Sequence, residues 1–316
     1  MNSNNKNNKN NKNNNAKTES NIRIGINPLT WTNDDLPSLG GDTPLEVCLS
    51  EARQAGYSGI ELGNKFPRDA SVLGPILKQH DLSLVSGWYS ARLLERSVED
   101  EIAAMQDHLN LLKALGSTVM VFAEVSGCIH GDQSVPLSHR PRMTANQWDE
   151  YAKRMTAVAD YMAAEGVKMA YHHHMGTVIE TAEEVDKLMQ MTGGNVGLLL
   201  DTGHITFAGG DALAMAKKHA KRITHVHCKD IRPSVLQDNL NRDSAFLNAV
   251  LEGVYTVPGD GSIDYFPIFE VLKSVDYSGW IVVEAEQDPA IAHPLTYATK
   301  GYEYLSANLK KAGFTF

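Results

Sequence analysis

Two short segments constrain this chain more than any other feature. Thr224-His225-Val226-His227-Cys228-Lys229-Asp230 follows Leu198-Leu199-Leu200-Asp201-Thr202-Gly203-His204 by about two dozen residues, and both read as β-strands that end in metal-binding residue types. Alternate side chains of a strand share a face. His225, His227 and Lys229 therefore point one way, and Val226 and Cys228 the other. Asp201 closes a continuous apolar run, the pattern of a strand buried on both faces. Two such strands with polar chemistry at their C-terminal ends predict a parallel barrel with its active site at the top.

The rest of the chain supports that reading. Strand-like runs at Ile22–Asn27, Gly59–Leu62, Leu82–Gly87, Thr118–Ala123, Val167–His172, Val196–Asp201, Ile223–Lys229 and Trp280–Glu284 alternate with helical patterns. The helices are predicted at Pro44–Ala55 (capped by Thr43), Ala70–His80, Val98–Leu115, Ala145–Glu165, Ala182–Met191, Ala212–Ala220, Ile263–Lys273 and Tyr297–Lys310. Eight strand–helix units in this order predict an α/β fold, a (β/α)₈ TIM barrel. A doubly wound sheet is the runner-up, weakened because no Gly-x-Gly-x-x-Gly follows the first strand. The two longest loops, Glu124–Met143 and Asp230–Gly261, both follow strands, which places them at the catalytic face as lids or subunit contacts.

Bulk properties exclude several classes. A net charge of −9 argues against a nucleic-acid partner, whose footprint is a basic face. No apolar run is long enough to span a bilayer. Cys48, Cys128 and Cys228 are few and far apart, which predicts free thiols in a reducing, cytoplasmic setting. Residues 1–20 are dominated by Asn and Lys and cannot bury enough surface to fold, so they read as a disordered tail before a single catalytic domain at 21–316.

Strand ends collect the candidate chemistry: Glu61 and Lys65, Trp88, Glu124, His172 and His174, Asp201 and His204, His225, His227 and Lys229, and Glu284 and Glu286. Aspartate, histidine and glutamate from separate strands can converge on one divalent cation, and a set without paired cysteines suits Mn²⁺, Co²⁺ or Zn²⁺. Each member also has a plainer reading. A buried histidine needs only a hydrogen-bond partner, Lys65 reads equally as a solvated loop lysine, and Cys228 as inert packing. Alternation sends His173 away from the face shared by His172 and His174.

At these residues the chain resembles the xylose-isomerase-like TIM barrels, and within them the inosose dehydratases. The resemblance covers nearly everything after Ile22. It rests on Gly59-Ile60-Glu61-Leu62-Gly63-Asn64-Lys65-Phe66-Pro67, Tyr171-His172-His173-His174-Met175-Gly176-Thr177, Asp201-Thr202-Gly203-His204 and His225-Val226-His227-Cys228-Lys229-Asp230. It continues through Val257-Pro258-Gly259-Asp260-Gly261 and Val283-Glu284-Ala285-Glu286-Gln287-Asp288-Pro289. The triple histidine and the Glu-Ala-Glu-Gln-Asp-Pro segment are the ones specific to the dehydratase.

That resemblance implies Asp201, His227 and Glu284 as metal ligands. The superfamily usually carries a glutamate ligand where this chain has His172. The fourth ligand is therefore His172, His174 or no residue at all. The implied reaction is loss of water from scyllo-inosose, a β-elimination beside a ketone. His204 or His174 is implied for proton transfer and Lys65 or Lys229 for enolate stabilisation. Glu61, Trp88, His225 and Glu286 are implied as contacts to the cyclitol ketone. Glutathione is a further cofactor implied by the resemblance alone, and a homo-oligomer is compatible with it. The rivals are a ketose epimerase or isomerase on the same barrel, weakened by the missing fifth-strand glutamate, and an endonuclease-like relative, weakened by the acidic charge. A binding protein without enzymatic activity is a further rival, disfavoured by retention of the ligand set.

Overall fold

The computed structural model describes residues 22–316. The Asn/Lys-rich tail expected over residues 1–20 lies outside the described residues. The elements run β1 (Ile22–Ile26), α1 (Leu45–Ala55), β2 (Gly59–Leu62), α2 (Ala70–Gln79), β3 (Ser83–Ala91), α3 (Val98–Ala114) and β4 (Val119–Glu124). They continue with α4 (Ala145–Ala164), β5 (Lys168–His172), α5 (Ala182–Met191), β6 (Val196–Asp201), α6 (Thr202–Phe207), α7 (Ala212–His219) and β7 (Ile223–Cys228). A small excursion follows: β8 (Asp230–Ile231), α8 (Pro233–Arg242), α9 (Phe246–Leu251) and β9 (Tyr255–Thr256). Then α10 (Phe266–Ser274), β10 (Gly279–Val283) and α11 (Pro294–Lys311) complete the chain.

Eight parallel strands close in the order β1-β10-β7-β6-β5-β4-β3-β2. Closure is made at β1, whose Ile26 pairs with Val283 of β10 on one side and Ile60 of β2 on the other. The predicted (β/α)₈ barrel is the observed fold. Alternation divides each strand between two cores. Ile22, Ile24 and Ile26 of β1 and Val226 and Cys228 of β7 join the large apolar layer packed against the helices. Val85, Trp280 and Val282 form a separate cluster, as do Val119, Val121, Ala170 and Leu199 with Trp88 against them. On β10, β5 and β6 the next residue of the same alternation is Glu284, His172 and Asp201, so an apolar plug lies beneath the polar site. Trp280 needs room in that plug, and Gly59 supplies it: a Cβ there would lie 2.4 Å from the indole.

Helix ends follow local chemistry. Thr144 with Gln147 and Thr181 with Glu184 form capping boxes at α4 and α5. Thr43 does not cap α1; Pro44 occupies that position with no side-chain hydrogen bond. The segment Asp230–Gly261, expected as a loop, carries α8, α9 and a two-stranded antiparallel pair in which Asp230 faces Thr256. Among the described residues no helix is long and apolar enough to cross a membrane.

Candidate active site

Asp201 is both the last residue of β6 and the N-cap of α6, where its Oδ1 accepts the His204 amide at 2.8 Å. Capping fixes the carboxylate and leaves Oδ2 buried without a hydrogen-bond partner. That orphaned oxygen lies 3.5 Å from His172 Nε2 on β5 and 3.7 Å from His227 Nδ1 on β7. His227 Nδ1 in turn sits 2.5 Å from Glu284 Oε2, just past the end of β10. Asp201 thus stands between His172 and His227, with Glu284 against His227, and ligand atoms of His172, Asp201, His204 and Glu284 all lie within 4.8 Å of one another.

The donors suit a cation. The His172 Nδ1 lies 2.8 Å from the His173 carbonyl, which can only accept, so Nδ1 carries the proton and the Nε2 lone pair faces Asp201. Burial opposes charging His227, yet Glu284 and Glu61 hold its imidazole protonated well above the usual range. Its proton therefore sits between carboxylates that call for positive charge. Burial likewise works against ionising Asp201, but Lys229 and His204 outweigh it and keep the carboxyl well below its ordinary value. Three buried carboxylates (Asp201, Glu284 and Glu286) share one lysine, Lys229, within ion-pair reach among the described residues, while a fourth, Glu61, is paired with His225 and His227. An excess of buried negative charge, two imidazole nitrogens and an orphaned oxygen fit a divalent ion of the Mn²⁺, Co²⁺ or Zn²⁺ type.

Around these four, a supporting layer sets orientation. Glu61 Oε1 accepts from His225 Nε2 at 2.8 Å and from His227 Nε2 at 3.1 Å, which turns His227 Nδ1 toward Asp201 and Glu284. Asn27 Nδ2 bridges Glu61 Oε2 at 2.7 Å and Glu284 Oε2 at 3.2 Å. Lys229 Nζ lies 2.6 Å from Glu284 Oε1, 3.0 Å from His204 Nε2 and 3.5 Å from Glu286 Oε2. Asn33 Nδ2 donates to Glu286 Oε1 at 3.1 Å. Burial, opposed by Lys229, pushes the Glu286 carboxyl up to about 7.

Above them opens a cavity of about 370 Å³. Glu61, Trp88, His172, His174, His227, Glu284 and Glu286 form part of its wall, with Asp34 from the loop after β1, Asn64 and Arg68 from the loop after β2, and Ser90 of β3. Trp88 Nε1 donates to Ser90 Oγ at 2.8 Å, and its ring meets those of His172 and His174 edge to face at 5.3 and 5.6 Å.

Several expected members fall elsewhere. Lys65 is exposed and its ammonium donates to the Gly41 carbonyl, so it does not reach the cavity. The reason is local: β2 ends at Leu62, and the chain has turned outward three residues later. Lys229 is wholly buried against the carboxylates rather than on the cavity wall, and His225 lies behind Glu61. His204 is likewise off the wall, its ring 3.9 Å from that of His174 and its Nδ1 3.1 Å from the Tyr255 hydroxyl. Glu124 serves structure, accepting the Leu93 amide at 2.8 Å and the Ser126 amide at 3.0 Å. His173 is fully buried with neither ring nitrogen partnered, and burial drives its pKa down to about 3.

Sequence reasoning missed Asn27, Asn33 and Tyr255. Asn27 had a signal, since it ends an apolar strand as Asp201 does and precedes a proline that stops the strand. Tyr255 had none; only the fold of the Asp230–Gly261 segment brings it to His204.

Residues 49–308 match the family model described as xylose isomerase-like TIM barrel. The rhizopine catabolism protein MocC of Rhizobium meliloti is 54% identical over 293 residues, covering 93% of this chain and 90% of that protein. Inosose dehydratase of Geobacillus thermodenitrificans is 45% identical over 289 residues, covering 91% of this chain and 97% of the relative. Among solved structures, the IolI protein with a bound zinc atom superposes with a TM-score of 0.66 at 17% identity, covering 93% of this chain and 100% of that one; at that identity the likeness shows the fold. The chain belongs to the xylose isomerase-like TIM barrel family, in the branch that contains the inosose dehydratases.

Proposed function

We propose that this protein is a divalent-metal-dependent hydro-lyase that converts scyllo-inosose to 3D-(3,5/4)-trihydroxycyclohexane-1,2-dione and water in the breakdown of myo-inositol. The observation that carries the reading is the convergence of Asp201 Oδ2, His172 Nε2, His227 Nδ1 and Glu284 Oε2 beneath a polar cavity. Asp201, His172, His227 and Glu284 would hold a divalent ion, which would supply Lewis-acid chemistry to the ketone.

The chain's own groups handle the protons. His174 Nδ1 lies 2.8 Å from the Met175 carbonyl, so it holds its proton there and leaves Nε2 free to accept one. Burial, reinforced by His130 and His172, keeps this imidazole neutral. On this reading it takes the proton α to the ketone. Glu286, with its carboxyl near neutrality, holds a proton that it can give to the departing β-hydroxyl. Trp88 gives the ring an apolar wall above these buried polar groups.

An epimerase would return a proton instead of expelling hydroxide, and such enzymes commonly use two carboxylate bases. Here β5 and the residues after it offer His172 and His174, which favours elimination. The test is to incubate metal-loaded protein with scyllo-inosose and with simple ketohexoses. Dione formation, followed by its ultraviolet absorbance, supports the reading; epimerised ketohexose without dione overturns it. The 54% match to a rhizopine catabolism protein favours one second reading, a closely related cyclitol as substrate, so a rhizopine belongs in the same panel.

A further inference from the structure

Lys229 is an unusual neighbour for a cation site. Its side chain is wholly buried, yet its ammonium stands among the residues read above as metal ligands. A positive charge there disfavours a second one, so its presence needs a compensating role. The geometry supplies one. Glu284 divides its two oxygens: Oε2 faces His227 Nδ1 at 2.5 Å, while Oε1 is taken by Lys229 Nζ at 2.6 Å. Glu286, two residues on, is held between Asn33 at 3.1 Å and Lys229 at 3.5 Å.

We propose that Lys229 is a positioning residue that keeps the metal centre under-coordinated, by withholding Glu284 Oε1 and restraining Glu286, so that positions stay open for substrate. This rests on the reading of Asp201, His172, His227 and Glu284 as ligands. Catalytic metal sites need such open positions, whereas a site that gathers every available carboxylate oxygen becomes closed. The route of the lysine is built into the fold. Its stem passes over Gly203, where a Cβ would lie 2.6 Å from Lys229 Cγ and 2.8 Å from its Cδ. Its backbone amide is pinned by Thr202 Oγ1 at 3.1 Å, and its ammonium lies 4.5 Å from the centre of the Tyr255 ring. Gly203 thus has a packing reason that does not involve the ligands themselves.

Two variants test the idea on the full chain loaded with Co²⁺. Lys229→Met removes the ammonium and keeps the length of the stem. Gly203→Ala keeps the charge but displaces the stem, and decides the matter if Lys229→Met fails to fold. The readouts are Co²⁺ affinity and the visible absorption of the bound ion, whose intensity falls as the coordination number rises. Each folded variant is expected to bind Co²⁺, Lys229→Met at least as tightly as the parent. Each should show a visible band weakened several-fold, with dehydration reduced. A merely structural lysine would lower the melting temperature and leave the band unchanged. A parent-like band in the folded variants, or loss of Co²⁺ binding by a folded Lys229→Met, overturns the proposal. Failure of the parent protein itself to bind Co²⁺ overturns the ligand reading, and this proposal with it.

Discussion

His172 Nε2 faces Asp201 Oδ2 across 3.5 Å, from neighbouring strands whose register pairs His172 with Leu199. The oxygen has no hydrogen-bond partner, and the nitrogen presents a lone pair because its sister atom gives its proton to a backbone carbonyl. Two acceptors aimed at each other in a buried site repel unless a cation lies between them. On this account His172→Ala weakens divalent metal binding at least about 10-fold. His174→Ala should bind metal normally and lose about 10²–10⁴ in kcat, the usual cost of a missing base.

His173 should behave differently. It is fully buried, lines no part of the cavity and leaves both nitrogens unpartnered. His173→Ala therefore loses packing but also removes two unsatisfied polar atoms, for a net cost of about 1–3 kcal/mol. Denaturant melts should show that loss with metal content and kcat intact. A catalytically dead but folded and metal-loaded His173→Ala would contradict the strand register.

Glu286 predicts a pH limb. A proton donor must be protonated to act, and burial raises this carboxyl to about 7. Dehydration should therefore decline as pH rises through about 7. Glu286→Gln should lose that limb and most of the rate, which a kcat profile of the two proteins would show.

Glu124 predicts a stability effect of the same sign. Burial outweighs its two amide donors and lifts its pKa from 4.5 to about 7. Between those values the folded chain binds more protons than the unfolded chain. Stability present below 4.5 is then lost as pH rises through about 7. The shift corresponds to up to about 3 kcal/mol. Glu124→Gln, melted across that range, should show a flatter dependence on pH than the parent.

Metal removal should leave the fold standing. The proposed ligands sit above a barrel whose apolar layers close without them, unlike a small zinc domain that folds around its ion. A cooperative melt should persist in chelator. Its disappearance would show that the centre is structural.

The barrel was legible because its signals are local and repeated. Gly59–Leu62, Val196–Asp201 and Ala182–Met191 carry clean strand or helix patterns, and the structure has them at those bounds. The excursion after β7 was not legible, since β8 and β9 have two residues each and gain their meaning only by pairing across 23 intervening residues. The shared face of His225 and His227 on β7 and Lys229 just past its end followed from alternation. Alternation could not say what each would touch: His225 meets Glu61, and Lys229 meets Glu284. Asn27 and Asn33 lie in the loop that follows β1, far in sequence from the glutamates they hold.

One measurement bears most directly on the central claim. Chelator-treated protein is mixed with scyllo-inosose, and dione absorbance is followed while Mn²⁺ or Co²⁺ is added back. The account predicts no dione before addition and a rate that rises to a plateau at about one ion per chain, as a single four-ligand centre requires. Dione formation at the full rate in metal-free protein would contradict it.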